Sequence, residues 1–344
     1  MKLVADSAIP FLKGVFEPYA RTLYKPGAEI RREDLADADA LIVRTRTRCD
    51  ARLLEGTPVK MIAVSAIGTD NVDMPWCRDH GIFVQNAPGS NSGGVMNYVF
   101  SALYGAAARK SIPLKGATMG ILGAGHCGTR VGNVARHLGF KVLFHDPIRE
   151  QAEGPEQFCT LDYLLENSDV VSLHLPINDS TRGMAGTAFF DRMKLGAFFI
   201  NTARGELVVE DALMAAIPRL GPVILDAWAH EPNVNQTLMS MVDIATPHIA
   251  GYSYQGKQRS TSAVVRAVAR FFGISDLFDF FPVAEVKELE AVKLDVIGLT
   301  QGQRASLFQY NYPIFTDDFM FRMAPDSFEQ IRASYRYRRE FYIY

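Results

Sequence analysis

The sequence lacks the features that mark several large protein classes. Lys and Arg number 36 against 38 Asp and Glu, which gives a formal net charge of −2. A protein whose main partner is nucleic acid usually carries a strong basic excess, so this balance argues against that class. The longest apolar stretches, such as 117–124, are far shorter than the ~18 residues that a membrane span needs. We therefore expect a cytoplasmic protein whose partners include neither nucleic acid nor a membrane.

Cysteine is also scarce. The four cysteines lie far apart, with no CxxC or Cys/His spacing, so the sequence favours neither a metal site nor a disulfide framework. What is present is the composition of an ordinary globular protein, 48% apolar and 22% charged. At about 150 residues per domain, the length predicts about two domains with an appendage.

Short, continuous apolar runs recur along the chain. Such runs are typical of parallel strands that are covered on both faces. The predicted strands are 2–5, 40–44, 61–64, 82–84, 118–122, 141–145, 169–173, 197–200 and 222–226. A long predicted helix over 91–109 separates the first four strands from the rest. We expect an α/β fold with two doubly wound, Rossmann-like parallel-sheet domains and a small C-terminal α+β module.

The most informative local motif is a glycine-rich turn, Gly123-Ala-Gly125-His-Cys-Gly128. The strand 118–122 precedes it and a predicted helix, 129–138, follows. The first glycine permits a tight bend, the second lets a pyrophosphate approach the backbone, and the third lets helix and strand pack closely. The free N–H groups of the helix N-terminus favour the diphosphate. The motif predicts a dinucleotide-binding site, and a glycine-rich turn of another α/β protein is the alternative.

An acidic residue specifies the type of dinucleotide. Asp146 ends the strand 141–145. A carboxylate at this point accepts both ribose hydroxyls of NAD and repels the 2′-phosphate of NADP. The nearest arginine is Arg149, which is not adjacent. We therefore expect NAD as the cofactor.

Three ionisable residues, Arg204, Glu231 and His248, follow strand-like runs, at the edge where open parallel sheets bind ligands. Hydride transfer from a hydroxyl carbon needs a base for the alcohol proton, and histidine suits this role near neutral pH. A neighbouring carboxylate favours the imidazolium form, and an arginine holds a substrate carboxylate in a bidentate manner. Taken alone, Arg204 is equally well explained as a surface cation, Glu231 as a carboxylate in a turn and His248 as a loop histidine. Their joint position after the glycine motif favours a catalytic set.

Four motifs in this order resemble those of the D-2-hydroxyacid dehydrogenase family. They are the glycine motif with Asp146, Asn201-Thr-Ala-Arg-Gly-Glu206, Asp226-Ala-Trp-x-x-Glu-Pro232 and Pro247-His248. The resemblance covers about residues 1–275. Further segments, Asp37–Arg44, Ala66-x-Gly-Thr-Asp70 and Asn86–Gly89, are similar to one branch of this family. That branch oxidises 4-phospho-D-erythronate to 2-oxo-3-hydroxy-4-phosphobutanoate in pyridoxal 5′-phosphate (vitamin B6) biosynthesis.

The resemblance implies a role for individual residues. It implies that Arg204 clamps the substrate, that Glu231 is the partner of the histidine and that His248 is the acid/base. The implied cofactor contacts are Gly123, Gly125, Gly128, Asp146, Thr202, Asp226 and Gly251. The implied substrate contacts are Arg44, Thr45, Ala66 and Tyr252. Position 66 departs from the pattern of the branch, which has threonine there, and this removes one hydroxyl from the substrate site.

A local cluster of cations suits one phosphate group. Arg44, Arg46 and Arg48 alternate with two threonines at the end of a predicted strand. Period-two geometry would place the three arginines on one side of that strand. A 4-phosphate group on the substrate needs such donors. The alternative interpretation of the cluster is a charged sheet edge that contacts only solvent.

The motifs also predict domain boundaries. We expect a substrate-binding domain made of 1–94 and 252–276, an NAD-binding Rossmann domain at 95–251, and a C-terminal dimerisation module at 277–344. This module is unusually rich in aromatic residues, which are favoured in interfaces, so we expect a homodimer. A tail packed on its own chain is the alternative.

Two other functions fit the same motifs. One is an NAD-dependent dehydrogenase of another D-2-hydroxyacid, with a phosphoglycerate-like or lactate-like substrate. The other is a non-catalytic, NAD-sensing corepressor on this fold. The intact set of Arg204, Glu231 and His248 argues against the corepressor, because a pure sensor does not need all three.

Overall fold

The apolar runs form two parallel sheets in the computed structural model, which describes residues 1–283 and 287–344. The first sheet comprises β1 (Lys2–Asp6), β2 (Arg21–Lys25), β3 (Ala40–Val43), β4 (Met61–Val64) and β5 (Phe83–Gln85). The second comprises β6 (Thr118–Leu122), β7 (Lys141–His145), β8 (Val170–Leu173), β9 (Phe198–Asn201), β10 (Val223–Leu225) and β11 (Ile244–Ala245). A third sheet pairs β12 (Val292–Leu294) with β13 (Phe341–Ile343). The predicted α/β fold class is confirmed.

Helices cover the sheets. In chain order they are α1 (Ala51–Leu54), α2 (Met74–Asp79), α3 (Ser92–Arg109), α4 (His126–His137), α5 (Pro147–Glu153), α6 (Leu161–Asn167), α7 (Thr187–Arg192), α8 (Glu210–Ala216), α9 (Gln236–Met241), α10 (Tyr254–Phe272), α11 (Gln301–Asn311), α12 (Ile314–Met323) and α13 (Phe328–Ser334). The Asp50, Asp73, Asp146 and Thr160 side chains cap the N-termini of α1, α2, α5 and α6 by accepting backbone N–H groups.

The chain divides into two compact units, Met1–Asn91 with Tyr254–Glu290, and Ser92–Ser253 with Ala291–Tyr344. In the first unit the strand order is β2-β1-β3-β4-β5. Alternate residues of each strand point to opposite faces of the sheet. One face, with Leu3, Ile42 and Ala63, packs against α10, and the opposite face packs against α1 and α2. In the central strands β1, β3 and β4 both faces are buried, which explains why these three strands read as continuous apolar runs.

In the second unit the strand order is β11-β10-β9-β8-β6-β7. The sheet is extended from β6 in both directions, so the order reverses between β6 and β8. Open α/β sheets bind ligands at such a switch point, outside the carboxyl ends of the strands. The glycine turn after β6 lies at this position.

The position of the C-terminal tail in the structure differs from the prediction of a separate module at 277–344. Residues from Ala291 onward belong to the second compact unit. The physical reason is that the tail supplies core side chains to both faces of the second sheet. Phe308 and Phe341 are fully buried in the cluster that contains α3, and Phe321 and Phe328 are fully buried in the opposite cluster. Part of the predicted module, residues 284–286, lies outside the described residues, and the functional labels of the domains stay predictions.

Three elements differ from the sequence-based expectation. Strand β2 was not predicted, because Arg-Thr-Leu-Tyr-Lys at a half-exposed sheet edge is not an apolar run. Strand β11 was not predicted because it has only two residues. The spacing of apolar residues predicts a helix only over 261–272, but helix α10 begins at Tyr254, because its first turns are polar in sequence although many of these residues are buried.

Candidate active site

The glycine turn has the geometry that its motif requires. Gly123 has φ +90°, and an added Cβ would lie 2.6 Å from the carbonyl oxygen of His174. A Cβ on Gly128 would lie 1.9 Å from the carbonyl oxygen of Gly123. Around Gly125, by contrast, no atom of the described residues lies within 4 Å of an added Cβ. The first and third glycines are therefore needed for packing, and the second borders open space at the N-terminus of α4.

Asp146 lies beside this turn. Its Oδ2 accepts the N–H of Ala124 at 2.8 Å, and its Oδ1 accepts the N–H of Arg149 at 3.1 Å. Each carboxylate oxygen has a further lone pair for a ribose hydroxyl. The carboxylate is thus held at the end of β7, where the motif predicts the contact with ribose.

Arg149 lies closer to the glycine turn than its position in the sequence indicated. Its guanidinium donates to the Ala124 carbonyl and to Thr129 Oγ1, and pairs with both oxygens of Glu153 at 2.6 Å. Arg149 and Arg130 line a cavity of about 620 Å³ beside the glycine turn. Sequence reasoning did not assign either arginine to this site. The available signal was that Arg149 lies in the first turn of the helix that Asp146 caps.

The three candidate catalytic residues follow three neighbouring strands. Arg204 follows β9, Glu231 follows β10 and His248 follows β11. Because these strands are parallel, their carboxyl ends meet at the same edge of the sheet. The structure therefore brings the loops of all three residues to one edge, as the motif order predicts.

His248 and Glu231 form a direct pair. The Nδ1 atom of His248 lies 2.9 Å from Oε2 and 3.0 Å from Oε1 of Glu231. Oε1 also accepts the backbone N–H of Trp228 at 3.0 Å. Both side chains are about a quarter exposed. This arrangement orients the imidazole and leaves Nε2 as the ring nitrogen for a substrate proton.

The pKa of Glu231 reflects this pairing. Burial alone raises the pKa of this carboxyl group, but the charge and hydrogen bond of His248, the Trp228 N–H and the charge of Arg332 outweigh it. The pKa of Glu231 consequently lies below its ordinary value. The carboxylate is therefore ionised at neutral pH and can stabilise a protonated His248 ring.

The loop that carries His248 is held by Asp226. This side chain is fully buried and accepts Thr246 Oγ1 at 2.7 Å and the N–H groups of Ile249 and Ala250, each at 2.8 Å. Burial raises the pKa of Asp226, while His248 and these hydrogen bonds oppose the rise. The Asp226 side chain thus anchors this loop. The contact of Asp226 with the cofactor stays a prediction.

Arg204 is positioned by a tight loop after β9. The Asn201 side chain donates to the Arg204 carbonyl at 2.8 Å and accepts the Ala203 N–H at 3.0 Å. A Cβ on Gly205 would lie about 2 Å from the backbone of Trp228, so only glycine permits this close approach. The loop of Arg204 is consequently packed against the loop that leads to Glu231.

Thr202, in the same loop, supplies a test of whether a cofactor fits. Its Oγ1 is buried and finds no hydrogen-bond partner among the residues that the structure describes. A buried hydroxyl without a partner is costly, and a ligand with polar groups removes that cost. Together with the open space at Gly125 and the carboxylate of Asp146, this orphan hydroxyl shows that the residues present fit a dinucleotide.

The remaining predicted residues are divided between the two units. Arg44, Thr45 and Ala66 lie in the first unit, in loops at the carboxyl ends of β3 and β4. Tyr252, with Gly251 before it, lies in the second unit. The Tyr252 ring makes edge contacts with Tyr335 and Tyr337 of the tail, both at 6.0 Å between centroids.

The predicted alternation of the arginine cluster is wrong. Strand β3 ends at Val43, so 44–48 form a loop, and period-two geometry does not apply. Thr47 is buried and donates to the Gly27 carbonyl, which turns the loop. Arg44 donates to the Ala8 carbonyl at 3.2 Å, and Arg48 pairs with Asp50 at 3.0 Å.

Over the part of the chain that the structure describes, no group of three or more His, Cys, Asp or Glu side chains could hold a metal ion. Within the same residues, no helix is long and apolar enough to cross a membrane.

Comparison with known proteins identifies the class first. Residues 100–250 match the family described as D-isomer specific 2-hydroxyacid dehydrogenase, NAD binding domain. A solved structure of NAD⁺-bound 3-phosphoglycerate dehydrogenase from Entamoeba histolytica is 27% identical, with a TM-score of 0.68. The match covers 81% of this chain and 97% of that chain. The protein is an NAD-dependent enzyme of the D-2-hydroxyacid dehydrogenase class, which confirms the predicted resemblance and cofactor.

Curated relatives identify the branch. An erythronate-4-phosphate dehydrogenase of Bacteroides fragilis is 38% identical over 347 residues, which covers 99% of this chain and 97% of the relative. Another, from Salinibacter ruber, is 36% identical over 361 residues and covers 99% and 92%. The chain belongs to the erythronate-4-phosphate dehydrogenase family.

Proposed function

We propose that this protein catalyses the NAD-dependent oxidation of 4-phospho-D-erythronate to 2-oxo-3-hydroxy-4-phosphobutanoate, a step of pyridoxal 5′-phosphate biosynthesis. The observation that carries the proposal is the His248–Glu231 pair, held at 2.9 Å beside the loop of Arg204. The near full-length similarity to relatives named for this substrate supports the choice among 2-hydroxyacids.

The roles of the side chains follow from their chemistry. Nε2 of His248 takes the proton of the C2 hydroxyl, because Nδ1 is engaged by Glu231. The Glu231 carboxylate stabilises the positive charge that this transfer places on the ring. Arg204 holds the substrate carboxylate and the oxygen on C2 with its planar fork of donors. When bound, NAD supplies the acceptor for the hydride that leaves C2.

The 4-phosphate is assigned to the loop 44–48. This loop follows β3, and Ala66 follows the adjacent strand β4, so both lie at the carboxyl edge of the first sheet. Arg44 is the preferred donor, because it directly follows β3 at this carboxyl edge. Arginine matches the geometry of a phosphate group in a bidentate manner.

Steady-state formation of NADH tests the proposal. We expect kcat/KM to be highest for 4-phospho-D-erythronate when it is compared with D-3-phosphoglycerate, D-glycerate and D-lactate. An equal or higher value for D-glycerate would refute the assignment of the phosphate site. No turnover with any of the four acids would instead favour the NAD-sensing corepressor.

D-3-phosphoglycerate is a second candidate substrate, because the 3-phosphoglycerate dehydrogenase of E. histolytica shares the fold at 27% identity. The two acids differ by one hydroxylated carbon between the carboxylate and the phosphate. A higher kcat/KM for D-3-phosphoglycerate in the same assay would select it.

We further propose that the protein forms a homodimer through the tail. Four large apolar residues of α11 and α12 are exposed: Tyr310 at 81%, Phe319 at 60%, Met320 at 54% and Met323 at 69%. Phe319, Met320 and Met323 share one face of α12, because residues three and four positions apart lie side by side on a helix, and an exposed apolar patch usually marks a partner. Other aromatic residues of the tail, such as Phe308 and Phe321, are buried in their own chain, so both predictions for the aromatic tail have support.

Sedimentation velocity tests the homodimer. The substitutions F319S and M323S together should convert a dimer to a monomer, whereas L195S, at a still more exposed apolar residue outside the tail, should not. Deletion of 277–344 is a poor test, because it removes fully buried core residues such as Phe308 and Phe321. A wild-type monomer at micromolar concentration would refute the proposal. The cytoplasmic location stays a prediction.

A further inference from the structure

The loop that carries His248 needs to be held on two sides. Its N–H groups at Ile249 and Ala250 are bound by the Asp226 carboxylate. The carbonyl groups of the same segment need donors of their own. His248 has φ +55°, a conformation that residues other than glycine rarely adopt and that the surroundings must maintain. The backbone of this loop is therefore not fixed by local preference alone.

The carbonyl groups are bound by an arginine from the C-terminal tail. Arg338 Nη1 donates to Ile249 at 3.1 Å and to Tyr252 at 3.0 Å, and Nη2 donates to Ala250. Nη2 also donates to Gly94, in the first turn of α3, at 3.1 Å. One guanidinium thus binds three carbonyl groups of the loop that carries His248 (residues 246–253, the catalytic loop below) and connects them to the start of a long helix.

Arg338 is itself firmly placed. Its guanidinium carbon lies 4.1 Å from the centroid of the Tyr312 ring, and Nη1 contacts the Tyr335 hydroxyl at 3.3 Å. The hydroxyls of Tyr312 and Tyr335 both donate to Asp317 at 2.8 Å, so a partly buried carboxylate balances the charge. The guanidinium therefore has a fixed position from which to hold the loop.

The adjoining residues strengthen this attachment. Arg338 forms a parallel backbone bridge with Ser253. The Ser253 hydroxyl, fully buried, donates to Oε1 of the fully buried Glu340 at 2.6 Å. The tail therefore follows the catalytic loop over several residues and does not touch it at one point only.

We propose that Arg338 is a positioning residue for His248, so that the C-terminal tail is part of the catalytic apparatus. Asp226 binds the N–H side of the loop and Arg338 binds its carbonyl side, which together fix the backbone that presents the imidazole to Glu231 and to the substrate. The inference rests on the proposed function, since it assigns His248 as the base. A displacement of about 1 Å in a reacting group costs about 100-fold in rate.

The test compares three variants of the full chain. R338M removes the donors and keeps most of the side-chain volume, whereas R338K keeps a charge and up to three donors. R339M is the matched control, because Arg339 is the next residue and donates to Asn311 within the tail, at 3.2 Å. Steady-state kinetics give kcat and the KM for NAD. Hydrogen–deuterium exchange of the cofactor-free protein gives the protection of 246–253.

We expect R338M to lower kcat about 100-fold with little change in the KM for NAD, because the glycine turn is untouched. We expect R338K to recover part of kcat and R339M to match the wild type. In the exchange measurement, R338M alone should accelerate exchange at Ile249 and Ala250 while 118–122 stays protected.

A kcat of R338M equal to that of R339M would overturn the proposal. So would a loss of kcat that Lys does not restore and that accompanies faster exchange throughout the second unit, since this outcome identifies a purely structural residue. If the wild type turns over none of the four acids, the proposed function fails. Exchange at Ile249 and Ala250 then decides whether Arg338 holds the loop.

Discussion

Replacing Glu231 by glutamine should separate the charge of the His248–Glu231 pair from its geometry. Oε1 accepts both His248 Nδ1 and the Trp228 N–H, each at 3.0 Å, whereas Oε2 has a hydrogen bond with His248 alone among the described residues, at 2.9 Å. A glutamine whose oxygen replaces Oε1 keeps the bond to Trp228. The same oxygen still lies 3.0 Å from Nδ1, while the amide nitrogen takes the place of Oε2 and turns the shorter contact with Nδ1 from an acceptor into a donor.

The expected cost of E231Q follows from this exchange. A hydrogen bond to a charged group contributes about 1.5–3 kcal/mol. At 1.36 kcal/mol per factor of ten in rate, its loss corresponds to a decrease in kcat of about 10- to 150-fold. The positive ring that forms during proton transfer loses its counter-charge, and the donor in place of Oε2 competes with the acceptor at Oε1 and raises the share of the tautomer that carries its proton on Nε2. That tautomer cannot accept the substrate proton.

The assay is NADH formation from 4-phospho-D-erythronate at saturating concentrations, with E206Q as the control. Glu206 is an exposed carboxylate of a neighbouring loop, and the pair does not involve it. E206Q should match the wild type. A kcat of E231Q equal to that of E206Q would refute the reasoning, because the carboxylate would then contribute neither charge nor orientation.

Three further predictions follow from the same geometry. The depressed pKa of Glu231 means that its stabilising contribution is complete above its ordinary pKa of 4.5 and is lost as the pH falls through the lower folded-state value. The difference in unfolding free energy between wild type and E231Q, measured by denaturant titration, should therefore become smaller as the pH is lowered. A difference that becomes larger would contradict this prediction. G128A should lose about 1–3 kcal/mol of stability because its Cβ meets the Gly123 carbonyl, whereas G125A should keep its Tm and lose NAD affinity. R44A should raise the KM for 4-phospho-D-erythronate far more than that for D-glycerate, and equal effects would remove Arg44 from the phosphate site.

Strands that are buried on both faces could be predicted from the sequence, whereas the half-exposed strand at the edge of the first sheet could not. β3, β4, β6 and β8 are fully or almost fully buried, and a strand covered on both sides must be apolar at every position. β2 lies at the sheet edge and is half exposed, so its polar residues carry no such signal. The wrong alternation at 44–48 has a related cause, because the chain leaves the sheet at Val43 and the bonds of Thr47 to Gly27 shape the loop.

The residues of the candidate site could be predicted from local patterns in the sequence. Glycines at 123 and 128, a carboxylate at 146, and Arg204, Glu231 and His248 after successive strands are local patterns, and parallel topology brings strand ends together. The folded chain was needed to show that Asp226 anchors the loop of His248, that Arg149 borders the glycine turn, and that Arg338 binds a loop 89 residues earlier in the chain. The physical reason is that these contacts join residues 24, 25 and 89 positions apart in the chain, and no periodicity or spacing in the sequence encodes which backbone groups a distant carboxylate or guanidinium will meet.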